Sequence, residues 1–185
     1  MTQTPHAAKK GDTPSSESDA PIRSDAAESK STCGLIMPIA EMGPDLPASH
    51  WVEVRTIFET AINAAGLSAQ MVSEGPTGAV IHNRIVDNLY NLPIVVCDVS
   101  GRNPNVFFEL GMRIAFDMPF ILVTDLETNI TFDASPIEHL RYPRSLRYAN
   151  MERFMSELTR LIKKEMLPLA NGERKSSYLQ SFGNF

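Results

Sequence analysis

Residues 94–116 read IVVCDVSGRNPNVFFELGMRIAF, and their reading decides the fold. The stretch opens on a short apolar run, Ile94-Val95-Val96-Cys97, closed by Asp98. A continuous apolar run of this length, bounded by turn residues, reads as a strand buried on both faces. A polar turn follows over residues 100–105. Within it, Asn103 and Pro104 mark a helix start, because asparagine caps well and proline suits the first helical position. The helix should run to Asp117. Between Val106 and Phe116 only Glu109 and Arg113 are charged. A carboxylate in so apolar a segment needs an explanation.

The flanking segments repeat the pattern of strand and helix. Residues 33–37, CGLIM, form an apolar strand stopped by Pro38, and a loop with Gly43, Pro44 and Pro47 follows. Starting at Ala48 or Ser49, apolar residues at Trp51, Val54, Phe58, Ala61, Ile62 and Ala65 have the 3.6-residue period of one buried helix face. Gly66 is a natural stop. Residues 67–72 read as a second strand, residues 74–78 as a loop, and Val80, Ile81, Ile85 and Leu89 as a second helix ending near Asn91. PFILVT, residues 119–124, gives a fourth strand, and a short fifth lies near Leu140. Asn150 should cap a last helix with Phe154, Leu158, Leu161 and Ile162 on one face, closed by Pro168. Alternating elements with continuously apolar strands imply an α/β domain. The expected architecture is a Rossmann- or flavodoxin-like parallel sheet of four to five strands flanked by helices.

The chain has 185 residues, enough for one domain plus tails. Residues 1–31 are polar and small and read as a disordered tail, or else as a partner-binding arm. Residues 32–168 form the expected domain. Residues 169–185 form a C-terminal tail, either flexible or an arm onto a neighbouring subunit. A net charge of −5 argues against nucleic-acid binding, which needs a basic face. Basic residues between Arg141 and Arg153 make only a local patch. No apolar run approaches the roughly 18 residues of a membrane span, and no secretory signal is evident. Cys33 and Cys97 both fall in strands, where buried free thiols suit a reducing cytoplasm.

In an open parallel sheet, ligands bind beyond the carboxyl ends of the strands where the strand order reverses. With a flavodoxin-like order, that point lies between the first and third strands. The loops after them hold Glu41, Asp45, His50, Asp98, Ser100, Asn103 and Asn105. Asp98 ends its strand, so its side chain either enters the crevice or bonds the amides of Ser100 or Gly101 as a turn aspartate. On the helix, Phe107, Leu110, Gly111 and Ile114 share the face expected against the sheet. Glu109 then lies nearly opposite, flanked by Phe108, Met112 and Phe116. That outer apolar face calls for a covering element or an oligomer partner. Glu109 itself is open to two readings. It pairs with Arg113 at i,i+4, worth roughly 0.2–0.5 kcal/mol, or it is a carboxylate tuned by burial for acid–base or glycosyl chemistry.

CGLIMPI, INAAGL and DVSGRNPNVFFELG together resemble the N-(deoxy)ribosyltransferase-like superfamily, which includes nucleoside 2-deoxyribosyltransferases and is related in fold to TIR-type NAD hydrolases. The resemblance covers residues 33–125. It implies a Rossmann-like domain acting on an N-glycosidic bond, with no cofactor and no metal. Glu109, in Glu109-Leu110-Gly111, matches the nucleophile that attacks the anomeric carbon. Asp98 is the second catalytic candidate, and Met37, Pro38, His50, Ser100, Asn103 and Asn105 are expected to bind substrate. Asn103 stands where the transferases carry a sugar-gripping aspartate, and Ile39 stands where they carry an aromatic residue. Asp87 matches, loosely, the helix aspartate that protonates the departing base. The expected substrate is a nucleoside, nucleotide or NAD, handled by a cytoplasmic homo-oligomer without nucleic-acid or membrane partners. A TIR-like NAD hydrolase serving defence and a non-catalytic nucleotide-sensing module are the alternatives.

Overall fold

Strands and helices alternate along the computed structural model, which describes residues 30–74, 81–131, 134–172 and 178–179. The order is β1 (Thr32–Ile36), α1 (Ala48–Ala64), β2 (Ser68–Met71), α2 (Ile81–Asn91), β3 (Ile94–Asp98), α3 (Pro104–Ala115), β4 (Phe120–Asp125), β5 (His139–Tyr142) and α4 (Tyr148–Ala170). The tails expected at residues 1–31 and 169–185 lie largely outside the described residues, as do residues 75–80 of the loop before α2.

The five strands form one sheet in the order β2-β1-β3-β4-β5, and every pairing is parallel. This is the Rossmann/flavodoxin-like arrangement, with the order reversing between β1 and β3. All five residues of β3 are buried, as its unbroken apolar run requires at the sheet centre. Successive strand residues serve opposite faces. Leu35 and Val96 join a core with Trp51, Phe58 and Ile62 of α1 and Phe154, Leu158 and Ile162 of α4. Ile36, Val95 and Cys97 join a second core with Leu89 of α2 and Val106 and Leu110 of α3. Cys33 and Cys97 are both free and buried, and they belong to opposite cores. Burial pushes the Cys33 thiol up to about 12 and raises Cys97 as well.

At Gly34 in β1 the second core closes tightly. A Cβ there would stand 2.8 Å from Leu92 Cδ1 and 2.9 Å from Val95 Cγ2. Most strand and helix ends fall within a residue or two of expectation, but both expected ends of the last helix fail. Asn150 does not cap α4, which starts at Tyr148 after Arg147 and has no side-chain cap. Pro168 does not close it either. The proline lies inside the final turn, where the packed face through Met166 outlasts the loss of one N–H donor. No described helix is long and apolar enough to cross a membrane.

Candidate active site

The β3–α3 turn is built by its backbone. Gly101 has φ +67° and Arg102 has φ +59°, a left-handed pair that reverses the chain after β3. A Cβ at Gly101 would meet Leu46 Cδ1 at 2.9 Å, so the β1–α1 loop can seat itself on the glycine alone. Arg102 is the costly member, and its Nε donates to the Asn129 carbonyl at 2.6 Å. Asn103 then caps α3 as its residue type suggests, its Oδ1 accepting from Asn105 N at 2.9 Å and Val106 N at 3.3 Å. Its Nδ2 meets only Met42 Sδ, at 3.6 Å. The loops after β1 and β3 therefore meet as the topology demands.

Between them and α2 lies a cavity of about 600 Å³. Met37, Pro38, Asn103, Asn105 and Glu109 all line it, so the structure gathers five of the residues singled out from the sequence. The walls are otherwise mainly apolar, with Met71, Ile85, Phe108 and Met112 among them. Phe108 is 68 % exposed at the rim, and Phe116 packs edge-on against Tyr90, with ring centroids 5.5 Å apart. A smaller cavity of about 260 Å³ lies at the opposite end of β4 and β5, against α4.

Glu109 is half-buried and forms no ion pair among the described residues. Burial alone raises its carboxyl to about 6. The Arg113 pairing does not form. Arg113 is wholly buried, and its guanidinium donates to the carbonyls of Leu89 (Nη1, 2.5 Å), Leu92 (Nη2, 2.8 Å) and Pro119 (Nη2, 2.8 Å). The expected helix face holds for Leu110, which is buried, and for Phe107 and Ile114, which pack against the same core, but not for Gly111, which is exposed; Val106 and Arg113 complete the inward stripe. The inward stripe includes a charged residue because carbonyls at the end of α2, just after it and before β4 accept from all three of its guanidinium nitrogens.

Four candidates lie elsewhere. Asp98 does not enter the cavity. It is fully buried, with Oδ1 accepting from Ser100 N (3.0 Å) and Ser100 Oγ (2.5 Å), and Oδ2 from Tyr142 Oη (2.8 Å). Burial raises Asp98 to about 6, while the Ser100 and Tyr142 hydrogen bonds pull the other way. Ser100 is buried in the same network and accepts from Asp125 N at 2.7 Å. His50 does not line the cavity. Its ring sits edge-on to Trp51, centroids 5.0 Å apart, and burial lowers its pKa. Asp87 is exposed and does not line the cavity either. At about 100° per residue it points away from the cavity-lining His82, Ile85 and Val86.

The sequence reading missed Tyr142 and the pair of Asp125 with Arg144. Arg144 Nε reaches Asp125 Oδ2 at 2.9 Å, and Nη2 reaches Oδ1 at 3.2 Å. Their signal was position, since Asp125 and Tyr142 end β4 and β5 at the carboxyl edge. His82 was missed too, although it stands three residues before Ile85 on the apolar stripe of α2.

No family model matches the sequence, and no curated protein matches it. Among solved structures, a 2-desoxiribosyltransferase from Leishmania mexicana is similar at 20 % identity with a TM-score of 0.37. The match covers 51 % of this chain and 64 % of that one, so the chain spans less than two thirds of its length.

Proposed function

We propose that the protein is an enzyme that cleaves or transfers at the N-glycosidic bond of a nucleoside or nucleotide, with Glu109 as nucleophile or as the anion that stabilises the oxocarbenium ion. One observation carries this reading. A half-buried carboxylate faces a largely apolar cavity at the sheet's switch point, and among the described residues no side-chain cation pairs with it.

Such a charge is costly against apolar walls and gains most when a positive charge develops beside it. Departure of a base from a sugar creates that charge at the anomeric carbon. The apolar walls keep the interaction strong by excluding water. Met37 and Pro38 at the end of β1 form the wall beneath the sugar. Asn105 at the lip offers an amide to sugar hydroxyls. Asn103 has one free role left, because its Oδ1 serves the helix and only Nδ2, against a weak thioether acceptor, can turn to a ligand.

The test is chromatography of products after incubation with nucleosides, nucleoside monophosphates and NAD. Wild type should release base from at least one, and Glu109→Gln should release none while melting as a folded protein. Full turnover in Glu109→Gln rules the assignment out.

A further inference from the structure

Breaking an N-glycosidic bond leaves a positive charge on the sugar and an electron pair on the base. A carboxylate answers the first. The second needs a proton, unless the base leaves neutral of its own accord. Among the described residues, two titratable side chains line the cavity, Glu109 and His82. Glu109 belongs to α3 and His82 to the first turn of α2, so they enter from different elements. The two helices are fixed to each other, since Arg113 of α3 donates to the Leu89 carbonyl of α2. Asn88 of α2 in turn donates to the Val72 carbonyl at 2.7 Å, fixing the helix to the end of β2.

We propose that His82 is the acid that protonates the departing base, and that the substrate is therefore a nucleoside or nucleotide whose purine or pyrimidine would otherwise leave as an anion. The proposal rests on the N-glycosidic reading of the cavity. Asp87, the acid suggested by resemblance, is turned away from the cavity, and His82 takes its place within it.

The bookkeeping of the step closes. The C1′–N bond breaks and its electron pair goes to the base, which takes the imidazolium proton of His82 and leaves neutral. A Glu109 carboxylate oxygen bonds to C1′. Water, or the ring nitrogen of a second base, then attacks C1′ and breaks the bond to Glu109. Its proton passes to His82, restoring imidazolium and carboxylate. His82 is exposed at the cavity mouth, so it reaches both an arriving acceptor and solvent. Imidazole suits the role because a ring nitrogen can both give a proton and take one back. NAD needs no such acid, since nicotinamide leaves uncharged.

Three proteins, wild type, His82→Gln and Glu109→Gln, are assayed with purine and pyrimidine nucleosides and their monophosphates, with 4-nitrophenyl ribosides and with NAD. Nitrophenolate departs without protonation. His82→Gln should lose about 10²- to 10⁴-fold in kcat on nucleosides and monophosphates, the usual contribution of a general acid, while its nitrophenyl riboside rate changes little. Glu109→Gln should lose both substrates. Equal loss on both substrates in His82→Gln, or no loss on either, overturns the role of His82 and leaves Glu109 standing. A wild type that cleaves NAD alone also overturns it. Unchanged Glu109→Gln turnover, or a wild type inert to every substrate, overturns the N-glycosidic reading and this inference with it.

Discussion

Tyr142 Oη donates to Asp98 Oδ2 at 2.8 Å, tying the last residue of β5 to the last residue of β3 across the intervening β4. Tyr142 is also wedged edge-on against Phe58 and tilted against Phe154, with centroids 5.9 and 5.4 Å away. The hydroxyl is thus held in place by the core of α1 and α4. It serves a carboxylate under the turn that starts α3. Tyr142→Phe keeps the ring and deletes the donor. A hydrogen bond to a buried charged group is worth about 1.5–3 kcal/mol, so a loss of that order is expected at pH 8. The loss should shrink at pH 5, where Asp98 holds a proton. Denaturant melts at the two pH values check both the size and the direction.

Asp98 makes a second, opposite prediction. Its folded pKa of about 6 lies above the ordinary 3.8. Between those values the folded state keeps a proton that the unfolded chain has released. Stability contributed by this group is therefore full below pH 4 and declines as pH rises toward 6, by on the order of 3 kcal/mol. Asp98→Asn should remove that slope while keeping the amide bond from Ser100. A variant whose stability declines over pH 4–6 as steeply as wild type would show that another group is responsible.

The architecture was legible because it rests on local signals. The unbroken apolar run at residues 94–97, bounded by turn residues, reads as a strand buried on both faces, and β3 lies at the sheet centre; the Asn-Pro start of α3 appears as read, with Asn103 capping. The carboxyl-edge network was not legible. Asp98, Asp125 and Tyr142 are 27 and 17 residues apart along the chain and meet only because β3, β4 and β5 are adjacent. Sequence could say that Asp98 ends a strand, but not whether its side chain turns outward or back beneath the turn. For Arg113, helical spacing suggested Glu109 as partner. Three backbone carbonyls, from α2, the turn after it and the segment before β4, took the guanidinium instead, and no side-chain pattern records open carbonyls.

Arg113 should be intolerant of lysine. Its guanidinium fans out to carbonyls of three residues, burial lowers its pKa to about 10, and among the described residues no carboxylate pairs with it. A lysine ammonium is a point donor and cannot match that fork. Arg113→Lys and Arg113→Met should each destabilise by about 3 kcal/mol or more, because buried carbonyls lose their donors. The acidic limb of base release should stay where it is, because Arg113 does not contact Glu109. Melting curves and a pH–rate profile of Arg113→Lys test both halves, and a displaced acidic limb would mean that the two side chains are coupled after all.

Glu109 should weaken the fold that carries it. Its pKa of about 6 exceeds the ordinary 4.5, and burial is the cause. The folded state therefore binds its proton more tightly than the unfolded chain does. The resulting penalty is absent below pH 4, grows through pH 5 and is complete above pH 7. Glu109→Gln removes the charge and keeps the shape. It should be more stable than wild type at pH 8, by about 1 kcal/mol after allowance for solvent around a partly exposed group, and equal to it at pH 4. Activity should move the other way, with wild-type turnover falling toward acid with a midpoint near 6 and the variant inactive throughout. Charge held at a functional site against stability predicts that inverse pairing. A Glu109→Gln protein less stable than wild type at pH 8 would mean that the carboxylate has a stabilising partner in solution, and that its charge is not reserved for the sugar.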